Sequence, residues 1–475
     1  MKKIVLVAVL LVLALVTRMS FLDLRPMDHD ESVHAWFAYR QVIESPSYKY
    51  DPAFHGPFLY FAISLSFLAF GDSDFSARLP VALFSILGVF FALRFERYIG
   101  KSAYLFALFL LISPSILYYS RYARDDIIGI SSFIAVIYLY LRYRETQKDY
   151  YAIATALFLA VIFTAKENWV QYFGVFFLAL IIDRIRKKDF KLYLKPLLPS
   201  AVVFILFSSF LYSSAFAYAI HGKDWVEVMF STDWIQRFID RSLPYWLSQG
   251  VSSPHDKPIY YFFNILLRYE FLPLAMALAS IPAIARKIRN LGLMETFVIC
   301  WVLIAFIFYN AMSYKTSWLV VHLATPLAFL GAIFVGKEVF EKREFRAVYL
   351  LGLTATVIVS FHVTYVDFNN VVDQPLIYVQ TQWGAVEMAD RIRGLLHEGN
   401  RVAVFAIDGH YWPLPWILRH EVDQYSSNLL FTASCPQGYD YVFVVYRDYG
   451  CLEGYEIVGK YELRKWWEFY EMRKL

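Results

Sequence analysis

The 475-residue chain is 59% hydrophobic and 19% aromatic, with only 18% charged residues, a mean hydropathy of +0.44 and a net charge of +4. A soluble protein of this length carries about a quarter charged residues, and basic clusters interleaved with polar readers, the mark of a nucleic-acid partner, are missing. Apolar runs recur instead along most of the chain, many near the ~20 residues that cross a bilayer, and this predicts a polytopic membrane protein.

The first run, MKKIVLVAVLLVLALV, has the lysine-then-apolar order of a signal peptide, but TRMSFLDLRP follows without a small-x-small cleavage site. It reads as a retained first span with Lys2 and Lys3 on the cytoplasmic side. Further candidate spans run over approximately 79–96, 102–119, 127–143, 150–165, 168–183, 196–218, 268–285, 294–312, 317–335 and 347–367. Basic clusters at Arg94/Arg97/Lys101, Arg142/Arg144/Lys148, Arg184–Lys188, Arg286/Lys287/Arg289 and Lys337–Arg346 all fall inside if there are about 11 spans and the N-terminus is cytoplasmic. That requires GPFLYFAISLSFLAF, 56–70, not to cross. With ~14 apolar residues it is short for a span and reads as a helix lying along the outer surface.

The expected architecture is an all-α transmembrane domain, 1–367, followed by a small extracytoplasmic α/β domain, 368–475. In the tail, LIYVQ (376–380), RVAVFAI (401–407), YVFVVYR (441–447) and YEIVGKYEL (455–463) read as strands, and AVEMADRIRGLLHEGN between the first two has helical spacing. Cys435 and Cys451 lie in this outer domain, as a disulfide or as two free thiols. Cys300, within a span, reads as packing.

The outer face begins with MDHDESVHAW, Met27–Trp36, where three carboxylates and two histidines fall within seven positions. Asp28-x-x-Glu31 is a capping box, and Val33, Trp36, Phe37 and Ile43 share one helical face while Asp30, His34 and Gln41 share the other. Capping accounts for Asp28 and Glu31 and leaves Asp30 unexplained. The other outer turns also carry charge against span ends: Arg78 in SARLP; Arg121, Arg124, Asp125 and Asp126 in YYSRYARDDI; Lys166 and Glu167 in TAKENW; His255–Lys257 in SPHDKP; and Lys315 in SYKTSW. Snorkelling at a membrane interface covers any one of these. Together they describe a cavity that holds an anion beside a carboxylate. A leaving phosphate needs cationic donors, and a hydroxyl nucleophile needs a nearby carboxylate to take its proton.

The acidic pair after the first span, HGPFLYFAISLSFLAFG, ARLP, SPSILYYSRYARDD, a lysine after the fifth span and YKTSWLVVHLATPLAF occur in an order that resembles the GT-C glycosyltransferases of the dolichyl-phosphate-mannose protein mannosyltransferase type. MDHDESVHA, YDPAFHGPFLYF and SPSILYYSRYARDDI look most like an archaeal subgroup described as flippase-activity-associated proteins. The resemblance covers roughly residues 1–335. One departure is His55-Gly56-Pro57, where the mannosyltransferases have His-Pro-Pro or Lys-Pro-Pro.

The resemblance implies inverting transfer of a sugar from a polyprenyl (dolichyl) phosphate donor to a glycan or protein acceptor on the extracytoplasmic face. It implies Asp30 as base with Glu31 assisting or capping, and Arg78, Arg121, Arg124 and Lys315 on the donor phosphate. His34, His55, Asp126, Lys166 and Glu167 are substrate-binding candidates. No metal ligand is assigned, no cofactor is required, and Mg²⁺ or Mn²⁺ is left open. Two other classes stand beside this. A flippase or flippase-associated protein for lipid-linked sugars would place ionisable groups or broken helices near mid-membrane, often in repeated halves. A metal-binding or receptor protein would use Asp28, His29, Asp30, His34 and His55 as ligands.

Overall fold

The structure is a computed structural model and describes residues 2–188, 195–407, 409–445 and 448–475. All eleven segments expected to cross are helical. Six helices are long and apolar enough to span by length and composition: 74–99, 126–146, 271–290, 293–311, 317–334 and 343–366. Phe58–Phe70, Ser102–Ile112, Asp149–Ala165 and Leu197–Tyr212 are shorter apolar helices. With Lys2–Met19 (α1) and Trp169–Lys187, and leaving aside Phe58–Phe70, these account for the eleven. This is a multi-pass membrane protein.

Local chemistry sets where the helices break. Ser113-Pro114 stops the helix Ser102–Ile112 and starts Pro114–Tyr119, because proline cannot donate within a helix but suits its first turn. The carbonyls left without helical partners there accept from Arg18 at the end of α1: Nη1 donates to Leu111 O at 2.7 Å and Nη2 to Leu110 O at 2.5 Å. A buried cation thus holds a broken helix to its neighbour.

Two helices lie between α1 and the next long helix: α2 (His29–Phe37), and α3 (Phe58–Phe70), which packs against α4 (Asp74–Arg94). Thirteen residues of α-helix extend about 20 Å against a hydrocarbon core of about 30 Å. Both ends of α3 also lie beside the C-terminal domain. His55, just before it, shares a cavity with Arg464. Near its other end, Phe67 stacks on Trp416 (ring centroids 5.7 Å apart), while Asp72 and Asp74 accept from Arg419 Nε at 2.5 Å and Trp416 Nε1 at 2.8 Å.

The C-terminal domain is a five-stranded sheet in the order β2-β1-β3-β5-β4. Strands β1 (Val402–Phe405), β2 (Leu429–Thr432) and β3 (Tyr441–Val445) are parallel, and β5 (Trp467–Lys474) joins β3 to β4 (Tyr455–Arg464) with antiparallel pairing. The helix Gly384–His397 covers one face with Met388, Ile392, Leu395 and Leu396 buried. Residues 446–447 of the expected third strand lie outside the described residues. The expected strand LIYVQ is a correction. Leu376 and Ile377 are buried in the helical core, the Leu376 carbonyl accepts from Tyr119, and Gln380 accepts from Arg25 Nη1 (2.8 Å). Its contacts, through the Leu376 carbonyl and the Gln380 side chain, are with the membrane domain rather than with the sheet. Cys435 and Cys451 form a disulfide, and Cys300 is buried.

Candidate active site

Asp28 opens α2 as expected: its carboxylate accepts from Glu31 N at 2.7 Å, and Glu31 reaches back to Asp28 N at 3.3 Å. Glu31 does far more than close this box. Arg25 Nη1 donates to it at 2.7 Å, Arg78 Nε and Nη2 at 2.8 and 2.9 Å, and Ala123 N at 2.8 Å. Glu31 and Arg78 are fully buried. Burial pushes the Glu31 carboxyl up, but the two guanidiniums, Arg25 first, more than offset it and leave it near a pKa of about 2. Arg78 also donates to the carbonyls of Leu22 (2.9 Å) and Arg25 (3.0 Å). This knot ties the loop after α1 to α4 and to the turn at 121–125.

One position earlier, Asp30 faces the other way. It lines a cavity of about 360 Å³ with His29, His34, His55, Arg124, Trp246, His255, Tyr314, Trp318, Tyr378, His410 and Arg464. Asp30 is about one-third exposed (34%) and accepts from Arg124, whose guanidinium lies 3.9 Å from the Trp318 ring centroid. Burial pushes the Asp30 carboxyl up; Arg124 outweighs it, aided by His29 and His34, and the net pKa is about 2. His34 donates from Nδ1 to Ala123 O (2.9 Å), so its neutral ring presents Nε2 as an acceptor. Burial, then Arg124, lowers its pKa to about 4, which keeps it neutral at pH 7.

His55 adopts a positive φ of 68° and stacks on Trp246, centroids 5.1 Å apart. The Gly56 that follows is required where the mannosyltransferase pattern has proline. A Cβ there would sit 2.1 Å from Thr164 O, and Gly56 N donates to Ala165 O at 3.0 Å, which a proline cannot do. The same close approach brings His55 Nδ1 to 2.9 Å from Glu167. Burial raises the Glu167 carboxyl to about 8.

A second cavity, about 330 Å³, shares Trp246 and Tyr314 with the first. Lys166 and Glu167 stand at its polar end. The rest is largely apolar, with Trp169, Phe238, Leu243, Leu247, Val251, Phe308 and Leu319 in its walls. A charged chamber and a greasy trough therefore share two wall residues.

Of the residues expected from the sequence, Asp30, His34, His55 and Arg124 meet in the first cavity and Lys166 and Glu167 in the second. Five do not line either. Glu31 and Arg78 are spent on each other. Arg121 donates to the carbonyls of Thr17, Arg18 and Ser20 and to Phe21, closing the C-terminal end of α1. Lys315 is buried and donates to Met312 O. Asp126 accepts from Lys166 Nζ at 2.8 Å and faces His322 Nε2 at 2.9 Å. Sequence reasoning missed Trp246, Tyr314, Trp318, Tyr378, His410 and Arg464. For Tyr314 and Trp318 a signal existed, because they flank the noticed lysine in YKTSW.

Asp30 is held by Arg124 and Asp126 by Lys166, whereas both carboxylate oxygens of Asp125 are buried without a hydrogen-bond partner. Among the described residues no three His, Cys, Asp or Glu side chains are placed to share a metal.

Residues 54–212 match the family model described as dolichyl-phosphate-mannose-protein mannosyltransferase. ArnT from Cupriavidus metallidurans, solved bound to undecaprenyl phosphate, superposes with a TM-score of 0.67 at 15% identity, covering 98% of this chain and 97% of that one. The chain has the GT-C glycosyltransferase fold. A second GT-C structure, the archaeal oligosaccharyltransferase AglB from Archaeoglobus fulgidus in complex with an inhibitory peptide and a dolichol-phosphate, superposes with a TM-score of 0.58 at 12% identity over 95% of this chain and 70% of that one. Comparison with curated protein sequences finds no match.

Proposed function

We propose that this protein transfers a sugar from a polyprenyl-phosphate donor to an acceptor hydroxyl on the extracytoplasmic face, with inversion at the anomeric carbon. The observation that carries the reading is the pair of adjacent cavities that share Trp246 and Tyr314, one lined by the Asp30 carboxylate and the Arg124 guanidinium and the other largely apolar. A polyprenyl chain suits the trough because its apolar walls leave no polar group of their own to be desolvated by it. Its phosphate then lies near Trp246 and Tyr314, within reach of Arg124, and the sugar extends into the charged chamber. The family match over 54–212 and the lipid phosphates bound by the two structural neighbours support the donor class.

In this mechanism Asp30 takes the proton of the acceptor hydroxyl as its oxygen bonds to the anomeric carbon. The sugar–phosphate C–O bond breaks and its electron pair leaves on the polyprenyl phosphate, stabilised by Arg124. A carboxylate with a pKa near 2 is a poor base. When the donor phosphate draws Arg124 away, the largest depressing influence on Asp30 is removed and its basicity rises. Donor binding thus precedes activation of the acceptor.

Purified protein incubated with radiolabelled polyprenyl-phosphate sugars and a membrane extract should release polyprenyl phosphate and move label into lipid- or protein-linked material. Tight donor binding without label transfer would instead support a carrier for lipid-linked sugars.

A further inference from the structure

The polar end of the apolar trough is built by two neighbours, Lys166 and Glu167, in the turn after the helix Asp149–Ala165. Lys166 is buried and committed: its Nζ donates to both oxygens of Asp126, at 2.8 and 3.0 Å. A lipid phosphate at this end of the trough therefore meets the Glu167 carboxyl. An ionised carboxylate would repel it, strongly so in low-dielectric surroundings. A protonated one has an O–H to give.

The surroundings of Glu167 favour the protonated form. His55 Nε2 lies 3.4 Å from Arg124 Nη2, and a guanidinium only donates, so Nε2 accepts. Burial, then Lys166, holds the His55 ring well below its usual pKa, so it is neutral and gives its Nδ1 proton to Glu167 at 2.9 Å. His55 thus brings Glu167 a donor and no positive charge. The contact depends on the close approach of Gly56 to Thr164 and Ala165, where the chain departs from the mannosyltransferase pattern. The other titratable groups around Glu167 are Tyr50, Tyr60, Tyr212 and Tyr245, with the carboxyls of Asp125 and Asp126. None of these brings a positive charge. Burial outweighs a backbone hydrogen bond, Lys166 and the Trp246 indole, and it raises the Glu167 carboxyl to about 8.

We propose that Glu167 is a phosphate-binding residue that acts as a neutral acid, donating its carboxyl O–H to an oxygen of the lipid phosphate at the polar end of the trough. The inference rests on the transferase reading only for the kind of lipid in the trough, and it is measurable without turnover. Purified full-length protein is titrated with farnesyl phosphate and with farnesol, at pH 7 and at pH 9. The second ionisation of a phosphate monoester has a pKa of about 6, so the ligand is largely a dianion throughout and any change comes from the protein. Over this interval the protonated share of a carboxyl titrating near 8 falls about tenfold, and the affinity for farnesyl phosphate should fall by the same factor. Farnesol, which carries no charge, should bind equally at both values. Glu167→Gln keeps the size and an N–H donor but cannot ionise. It should bind farnesyl phosphate much as the unaltered protein does at pH 7 and show no decline at pH 9. Should that variant fail to fold, the contrast between the two ligands in the unaltered protein carries the test. A decline shared by farnesol, no decline in the unaltered protein, or a decline that persists in Glu167→Gln overturns the inference. Farnesyl phosphate binding no tighter than farnesol at pH 7 overturns the lipid-phosphate reading instead.

Discussion

Asp30 and Glu31 are consecutive carboxylates on one nine-residue helix, both with pKa values near 2, and they do opposite things. Glu31 points into the protein, where Arg25, Arg78 and the Ala123 N–H saturate both oxygens. Asp30 points into the chamber, one-third exposed, with Arg124 as its cationic partner. Consecutive helical residues project about 100° apart, so one face can be anchored while the other reacts. The difference teaches that a depressed pKa does not mark a functional acid; the exchangeability of the cation that depresses it does. Arg78 is buried behind α2, whereas Arg124, also buried, lines the chamber; in the proposed mechanism an incoming phosphate draws it off.

The sharpest break of this comparison is Glu31→Gln. Removing one member of a buried, fully hydrogen-bonded ion cluster costs about 3–5 kcal/mol, so the variant should fail to accumulate in membranes or unfold at a much lower temperature in detergent. Normal yield and melting would show that Glu31 is no anchor. Arg124→Gln should leave the fold intact and weaken farnesyl phosphate binding by at least about tenfold, the usual loss when a charged hydrogen bond to an anion is removed. Unchanged binding would place the phosphate elsewhere.

A subtler effect is expected at Asp28. Burial, then the neighbouring Asp30 and Glu31, raises its carboxyl from 3.8 to about 7. The folded protein therefore holds a proton there that the unfolded chain has lost, and this contribution to stability declines as pH rises from about 4 to about 7. Asparagine caps a helix about as well, so Asp28→Asn should melt more like the unaltered protein near pH 4 and outlast it near pH 7, by on the order of a few kcal/mol at most. Parallel melting curves for the two proteins across that range would contradict the raised pKa.

Much of the site was legible because its charges are placed where composition makes them costly, at the ends of apolar runs. MDHDES and SRYARDD announced a cap, an acid the cap did not need, and the arginine that binds it. The rest depended on distance along the chain. Nothing in SARLP says that Arg78 would be spent on a glutamate 47 residues earlier, or that Arg121 would close a helix about 100 residues away. Arg464 reaches the site from 435 residues beyond His29, on a strand whose alternation reports only a sheet. The helices followed from hydrophobic length. LIYVQ misled because a β-branched, aromatic run at a domain junction has the same pattern whether it pairs with a sheet or threads against a helical core.

The central claim, that Asp30 is the base and Glu31 its scaffold, is tested most directly by Asp30→Asn, which keeps the size and hydrogen bonding of the side chain while removing its basicity. Farnesyl phosphate binding and melting temperature should stay near those of the unaltered protein, while transfer of label from a polyprenyl-phosphate sugar falls by roughly 10²–10⁴-fold, the usual worth of a positioned general base. Transfer at the unaltered rate, with binding and folding preserved, would contradict the account.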